Sequence, residues 1–261
     1  MKLAMCQTDM LWENKEKNLE AAEIFIVEAA ENSADLIIFP EMSFTGFSVK
    51  TAEMGEEYNT SKTVEKIKLL AAENKIAVGF GMTVSQNGKN LNRFVMIDKN
   101  GEEVGFYDKI HPFSYGDEGK LFTGGEETAV VTVESVKIAL YVCYDLRFPE
   151  IFSAVSNRAD VAVVIANWPS SRISQWSALL RARAIENQYY VVGVNRTGTG
   201  DGIEYNGRSA AFDYAGALMA EAGSQPGLTY CEILPENVAH FRNKFKMLRD
   251  RKPELYKKLL N

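Results

Sequence analysis

Three apolar runs in this chain each end on a polar or reactive side chain. DLIIFP leads into Glu41, IALYV into Cys143, and VAVVIA into Asn167-Trp168. If the runs are parallel strands, their C-terminal ends open onto one crevice, the place where open α/β sheets bind ligands. A carboxylate, a thiol and an indole would then converge. A thiol attacks a carbonyl carbon as its thiolate and needs a proton acceptor beside it. Cys143 is followed by YDLRFP, so the chain must turn sharply from a buried strand into a helical segment. Such an elbow brings free backbone N–H groups and a positive helix end to the sulfur, and both favour the thiolate. The competing reading is a buried structural cysteine, the common fate of a free thiol. Cys6 and Cys231 lie inside apolar runs and take that reading.

The usual base for such a thiol is histidine, and the chain has only His111 and His240. His240 falls in a charged tail. His111, in YDKIHPF, permits a Cys–His pair, but Glu41 is better placed, because it follows a buried strand and a proline. A carboxylate in apolar surroundings holds its proton more readily and suits proton exchange near neutrality; an exposed turn carboxylate is the alternative. Lys109 stands between an apolar hairpin and His-Pro-Phe, an uncommon place for a solvated lysine. The CYDLR run cannot be a phosphate loop, since no glycine separates Cys143 from Arg147 to let N–H groups converge. GxSxG, Walker and HExxH patterns are absent.

The elements that would position these groups read as strands interleaved with helices, an α/β pattern. The strand candidates are Leu3–Cys6, Asp35–Phe39, Ala77–Met82, Phe94–Ile97, Val136–Val142, Val161–Ala166 and Tyr190–Val194, several of them apolar on both faces. Leu19, Ala22, Ile26 and Ala29 mark one helical stripe. Further helices are expected over Val64–Glu73 and over Ser174–Gln188, the latter with Leu179, Leu180 and Ile185 inward. NRFVMIDKNGEEVGFYDK reads as a hairpin turning at Asn100-Gly101, residues that tolerate positive φ. From about Pro235 the tail is charged and helical, which suits surface or partner contacts.

With 261 residues and 46% hydrophobic content, the chain is expected to form a single domain. Its formal charge of −6, without a basic stripe, argues against nucleic acid. The start, MKLAMCQTDM, lacks a signal-peptide h-region, and the longest aliphatic stretch, Val161–Ala166, is far too short to span a membrane. A cytoplasmic protein is expected. Three widely spaced cysteines without CxxC speak against disulfides and zinc.

FPEMSFTGF around Glu41, YDKIHPF around Lys109 and YVCYDLRFPE around Cys143 resemble, in order and spacing, the signature segments of the nitrilase, or carbon–nitrogen hydrolase, superfamily. The resemblance covers nearly the whole chain. NRF (Asn92–Phe94), DEG (Asp117–Gly119), ANWPSSR (Ala166–Arg172) and RARAIENQ (Arg181–Gln188) are similar to the ω-amidase branch, which hydrolyses the terminal amide of 2-oxoglutaramate and 2-oxosuccinamate. The resemblance implies an α-β-β-α sandwich that dimerises back to back, and an amidase needing no metal or organic cofactor. It makes Glu41 the general base, Lys109 the cation on the oxyanion side and Cys143 the nucleophile. Glu118 would be a second glutamate, with Asp117, Glu126 and Glu127 as alternatives. The N–H of Tyr144 would help Lys109 hold the oxyanion. An ω-amide substrate carries a distal carboxylate, for which Arg172 is the expected clamp and Arg147 a competitor; Arg147 could instead pair with Asp145 or Glu150. Trp168 and Phe113 would form apolar walls. The same catalytic types serve N-carbamoyl amino acid hydrolases, aliphatic amidases and nitrilases, and a silent ligand- or partner-binding member would share the scaffold.

Overall fold

A computed structural model of the chain describes residues 1–260. In chain order, β1 (Lys2–Gln7), α1 (Lys15–Glu31), β2 (Leu36–Ile38), α2 (Thr51–Met54), α3 (Lys62–Asn74), β3 (Ala77–Gln86), β4 (Lys89–Ile97) and β5 (Glu103–Asp108) make the first half. The second half holds α4 (Glu118–Leu121), β6 (Ala129–Val133), β7 (Val136–Val142), α5 (Pro149–Val155), β8 (Val161–Ala166), α6 (Ile173–Asn187) and β9 (Tyr190–Asn195). It continues through β10 (Thr197–Gly200), β11 (Ile203–Asn206), β12 (Ala210–Phe212), β13 (Leu218–Glu221), β14 (Gly227–Glu232), α7 (Pro235–Lys244) and α8 (Pro253–Leu260).

Two six-stranded sheets result, ordered β14-β1-β2-β3-β4-β5 and β13-β12-β9-β8-β7-β6. β1, β2 and β3 are parallel, as are β7, β8 and β9, and the remaining pairings within both sheets are antiparallel. Strand alternation sorts the side chains. Ala4, Cys6, Ile37, Phe39, Val78, Val95 and Ile97 face α1 and α3, where Ala22, Ile26, Ala29, Ile67 and Leu70 meet them. Leu3, Met5, Leu36, Ile38, Phe94 and Met96 point the other way, toward the second sheet. That sheet's outer face is covered by Phe152, Trp176, Leu180 and Ala184 from α5 and α6. The layers run helix, sheet, sheet, helix, which is the expected α-β-β-α sandwich. It also explains the nearly unbroken apolar strands: both faces of each sheet are buried.

Two local expectations need correction, and the tail gains a detail. The β4–β5 hairpin forms, but only Gly101 takes positive φ (81°); Gly101 N donates to Asp98 O, so the loop is a type I turn closed by a left-handed glycine, not a two-residue turn centred on Asn100. Ile185 is 47% exposed, because the inward stripe of α6 runs through Trp176, Leu180, Arg183, Ala184 and Asn187. The charged tail is docked more firmly than its composition suggests. Val238 is buried, Arg242 donates to the carbonyls of Ala159, Asn187 and Gln188, and Arg251 to those of Ser153 and Glu186. Carbonyls at and just beyond the ends of α5 and α6 thereby gain partners. Among the described residues, no helix is long and apolar enough to cross a membrane.

Candidate active site

Glu41 sits on a turn clamped to the neighbouring strand. Phe39 N donates to Gly79 O, Ser43 N donates to Gly81 O, and Gly81 N donates to Ser43 Oγ. A Cβ on Gly81 would lie 2.6 Å from Met42 N and 2.9 Å from Glu41 Cα, so only glycine lets the turn lie this close to β3. Met42 takes a left-handed φ of 46° to complete it. Lys109 follows β5, whose end is anchored by the two-pronged Arg93–Asp108 pair, with Nε–Oδ1 at 2.7 Å and Nη2–Oδ2 at 2.9 Å. Glu118 opens α4.

These three side chains meet in a closed network, all at most 1% exposed. Lys109 Nζ lies 3.0 Å from Glu41 Oε1, and 3.0 and 2.8 Å from the two oxygens of Glu118. Asn92 Nδ2 donates to Glu41 Oε1 at 2.7 Å and to Glu118 Oε1 at 2.8 Å. Asn167 N donates to Glu41 Oε2 at 2.8 Å, and Phe113 N to Glu118 Oε2 at 2.6 Å. Of the alternatives to Glu118, Glu126 and Glu127 are exposed, and Asp117 pairs with Lys120 at the surface. Burial disfavours the charge on Lys109, yet Glu118 first, then Glu41 and Cys143, raise it above the ordinary lysine value. The ammonium stays protonated.

Cys143 begins a short 3-10 turn, Cys143–Arg147, with φ +47°. Asp145, fully buried, pins that elbow: it accepts from Val142 N at 3.2 Å, Tyr107 Oη at 2.8 Å and His111 N at 3.0 Å, and it holds His111 Nδ1 at 2.8 Å. His111 is therefore committed to Asp145 and stacked on Phe148, with ring centroids 3.7 Å apart. It is not the partner of the thiol. Burial above all, then Glu41, pushes the Cys143 thiol well above its usual range, Glu118 adds to the rise, and Lys109 alone among these charges opposes it. This reverses the expectation of a standing thiolate: the resting group is a thiol, hydrogen-bonded to Glu41. Two carboxylates outweigh one ammonium and a single helical turn. As the second residue of that turn, Tyr144 has an N–H with no intrahelical carbonyl to donate to.

The sulfur opens into a cavity of about 70 Å³. Lys109, Cys143 and Asn167 form its reacting end; Phe113, Tyr144, Arg147, Trp168 and Arg172 extend from it, with Phe47, Ile203 and Tyr205 completing the wall. A larger groove between α1 and α3, about 700 Å³, lies away from all of these and holds no nucleophile. Trp168 is held by Nε1 donation to Arg172 O at 2.9 Å. Arg172 lies 5.7 Å from the Phe113 ring centroid, and Arg147 4.9 Å from that of Trp168. Arg147 bonds Gln175 and makes no salt bridge with Asp145 or Glu150, because Asp145 is consumed beneath the elbow. Among the described residues, neither Arg147 nor Arg172 has an ion-pair partner, and no cluster of His, Cys, Asp or Glu could hold a metal. Asn92 was not anticipated as a site residue, although it shares the inward parity of Phe94 and Met96 in β4. Ile203 and Tyr205 were missed too; their signal was Asp201-Gly202, a hairpin dipeptide.

A buried thiol facing a Glu–Lys–Glu cluster at the seam of an α-β-β-α sandwich defines a class of acyl-transfer hydrolase, and the comparisons agree. The carbon–nitrogen hydrolase family model matches residues 2–243. The chain belongs to the carbon–nitrogen hydrolase family, and it is a hydrolase of carbon–nitrogen bonds other than peptide bonds. It is 32% identical to the omega-amidase YafV of Yersinia enterocolitica, over 96% of both chains, and 30% identical to the 2-oxoglutaramate amidase of Bacillus subtilis, over 97% of this chain and 98% of the other. Among solved structures, the CN-hydrolase superfamily protein XC1258 of Xanthomonas campestris, which carries an arsenic adduct in its active site, superimposes with a TM-score of 0.90 at 30% identity, over 97% of each chain. An amidase from Nesterenkonia sp., carrying acrylamide on its active-site cysteine, shares the fold at a TM-score of 0.88 and 22% identity, with 99% of each chain covered. These relatives support amidase activity in this chain.

Proposed function

We propose that the chain is an ω-amidase that hydrolyses the terminal amide of a small dicarboxylate monoamide, 2-oxoglutaramate or 2-oxosuccinamate, to the acid and ammonia. The observation that carries this reading is one cavity lined by Cys143 and Lys109 and also by Arg172, which among the described residues has no ion-pair partner. An amide at the thiol and a carboxylate on the arginine match that polarity, since guanidinium binds carboxylate through paired hydrogen bonds. The names of the relatives point the same way.

Glu41 takes the Cys143 proton as sulfur bonds to the amide carbon, and the oxygen becomes an oxyanion facing Lys109 and the N–H of Tyr144. Each such donor contributes about 3 kcal/mol to lowering the barrier. The C–N bond breaks as Glu41 returns the proton to nitrogen, which leaves as ammonia, and a thioester remains. Water then adds to the thioester while Glu41 accepts its proton; the C–S bond breaks, and the proton returns to sulfur. Glu118 holds Lys109 in place. The chain acts in the cytoplasm as a single carbon–nitrogen hydrolase unit and as a homodimer whose contacts include the tail; exposed Leu255, Tyr256 and Leu259 on α8 support that surface.

Ammonia release from 2-oxoglutaramate, an N-carbamoyl amino acid and a simple nitrile tests the substrate. The first is turned over fastest; negligible hydrolysis of it overturns the reading in favour of the other amide or nitrile chemistries.

A further inference from the structure

The wall opposite the 3-10 turn Ser170–Arg172 is the two-stranded arm β10–β11, whose tip residues Asp201 and Gly202 both have positive φ, 48° and 73°. The arm places Tyr205 in the cavity. Tyr205 is only 6% exposed, and buried tyrosines ordinarily hydrogen-bond their hydroxyl. Among the described residues this one makes no such bond, its oxygen is not among the sealed, unpartnered atoms such as Tyr230 Oη, and its side chain lines the cavity shared with Cys143 and Arg172. Burial pushes its pKa up to about 12, which keeps the phenol a donor at neutral pH. Arg196 and Arg172 pull the other way, and Cys143 and Glu41 add to the rise, so all four lie within electrostatic reach of the ring.

The arm is held from below by Arg196, which is fully buried. Its guanidinium lies 4.7 Å from the Tyr205 ring centroid, and it donates to Thr197 O, Met10 O and Thr199 O at 3.0, 3.1 and 3.4 Å. Its carbonyl accepts from Gly207 N at 3.0 Å, closing the base of the arm. A Cβ on Gly200 would come 2.8 Å from Arg196 Nη1, so the seat is shaped to this side chain.

We propose that Tyr205 is a specificity-determining residue, donating its hydroxyl proton in a hydrogen bond to an acceptor oxygen at the 2-oxo-carboxylate end of the substrate, and that Arg196 is its positioning residue. This rests on the ω-amidase reading. A hydrogen bond to a charged acceptor, lost when the donor is removed, corresponds to roughly 10- to 100-fold in binding. Tyr205→Phe lowers kcat/KM for 2-oxoglutaramate by about that factor, chiefly through KM, and weakens competitive inhibition by the product 2-oxoglutarate in step. Alkylation of Cys143 by iodoacetamide, a reagent with no distal carboxylate, stays within about twofold. Arg196→Lys raises KM likewise, and adds nothing when combined with Tyr205→Phe, because two residues acting through one contact are not additive. The proposal is overturned if Tyr205→Phe leaves KM and product inhibition unchanged, or if alkylation falls as far as turnover. If the unaltered enzyme ignores 2-oxoglutaramate, the ω-amidase reading fails first and this assignment with it.

Discussion

The two ends of the cavity are built on opposite terms. At the reacting end every charged group is answered by the protein: Lys109 pairs with both Glu41 and Glu118, Asn92 and main-chain amides fill the remaining carboxylate positions, and all three charged side chains are buried. At the far end, Arg147 and Arg172 face aromatic rings, and among the described residues neither meets a carboxylate and the Tyr205 hydroxyl has no partner. The reacting end is preorganised, so its geometry does not depend on the substrate's tail. The far end is left to be completed by the ligand. Such a division lets one catalytic cluster serve many amides while the distal wall selects among them.

Substitutions at each end test that division. Cys143→Ala removes the bond-forming atom and lowers ammonia release by more than about 10⁴-fold while the circular dichroism spectrum is kept; residual turnover near the original rate would remove the thiol from the mechanism. Lys109→Met leaves two buried carboxylates facing each other, so the reacting end loses both function and stability. Turnover falls about 10²- to 10³-fold and unfolding in urea loses about 3–5 kcal/mol. With the only opposing charge gone, the Cys143 thiol is lifted further and reacts more slowly with iodoacetamide at neutral pH. Arg172→Met belongs to the far end and inverts the pattern: KM for 2-oxoglutaramate rises about 10- to 100-fold, with stability changed by less than about 0.5 kcal/mol. A large loss of stability there would show that the arginine serves the fold.

The smallest effect on turnover comes from Glu56, a carboxylate outside the cavity. Burial opposes its ionisation, but Thr63, Lys15 and Ser61 prevail and lower its pKa from 4.5 to about 2. The folded value lies below the unfolded one, so its contribution is complete above pH 4.5 and fades as the pH falls toward 2. Glu56→Gln leaves neutral-pH turnover alone and flattens the loss of stability across that acid window. Urea midpoints measured at several pH values check it.

Much of the scaffold was readable, because buried parallel strands leave unmistakable apolar runs: β7 and β8 begin and end where the sequence pattern does. Glu41 and Cys143 were readable as the first polar residues past such runs, and Lys109 as a lysine between a hairpin and His-Pro-Phe. β10 to β13 escaped notice since they are short, Gly-rich or half-exposed, too brief for an alternating pattern to stand out. Asn92 was hidden in a strand where it shares a face with Phe94 and Met96, and its parity alone does not mark a site residue. The state of the thiol could not be read at all: it depends first on burial and then on Glu41 and Glu118 closing on Cys143, neither of which local sequence around the elbow encodes. What the tail's composition does not show is that its arginines find their partners in backbone carbonyls far back in the chain.

Met42, beside Glu41, and Cys143 itself both hold the left-handed backbone that side chains with a Cβ adopt reluctantly, at a cost of order 1 kcal/mol or more each. Glycine would occupy position 143 without that strain. A programme that ranked variants of this chain by thermal stability alone would therefore be drawn toward Cys143→Gly, and under the proposed mechanism the best-scoring protein would be inert. Any search for hardier forms of this enzyme has to count ammonia as well as degrees.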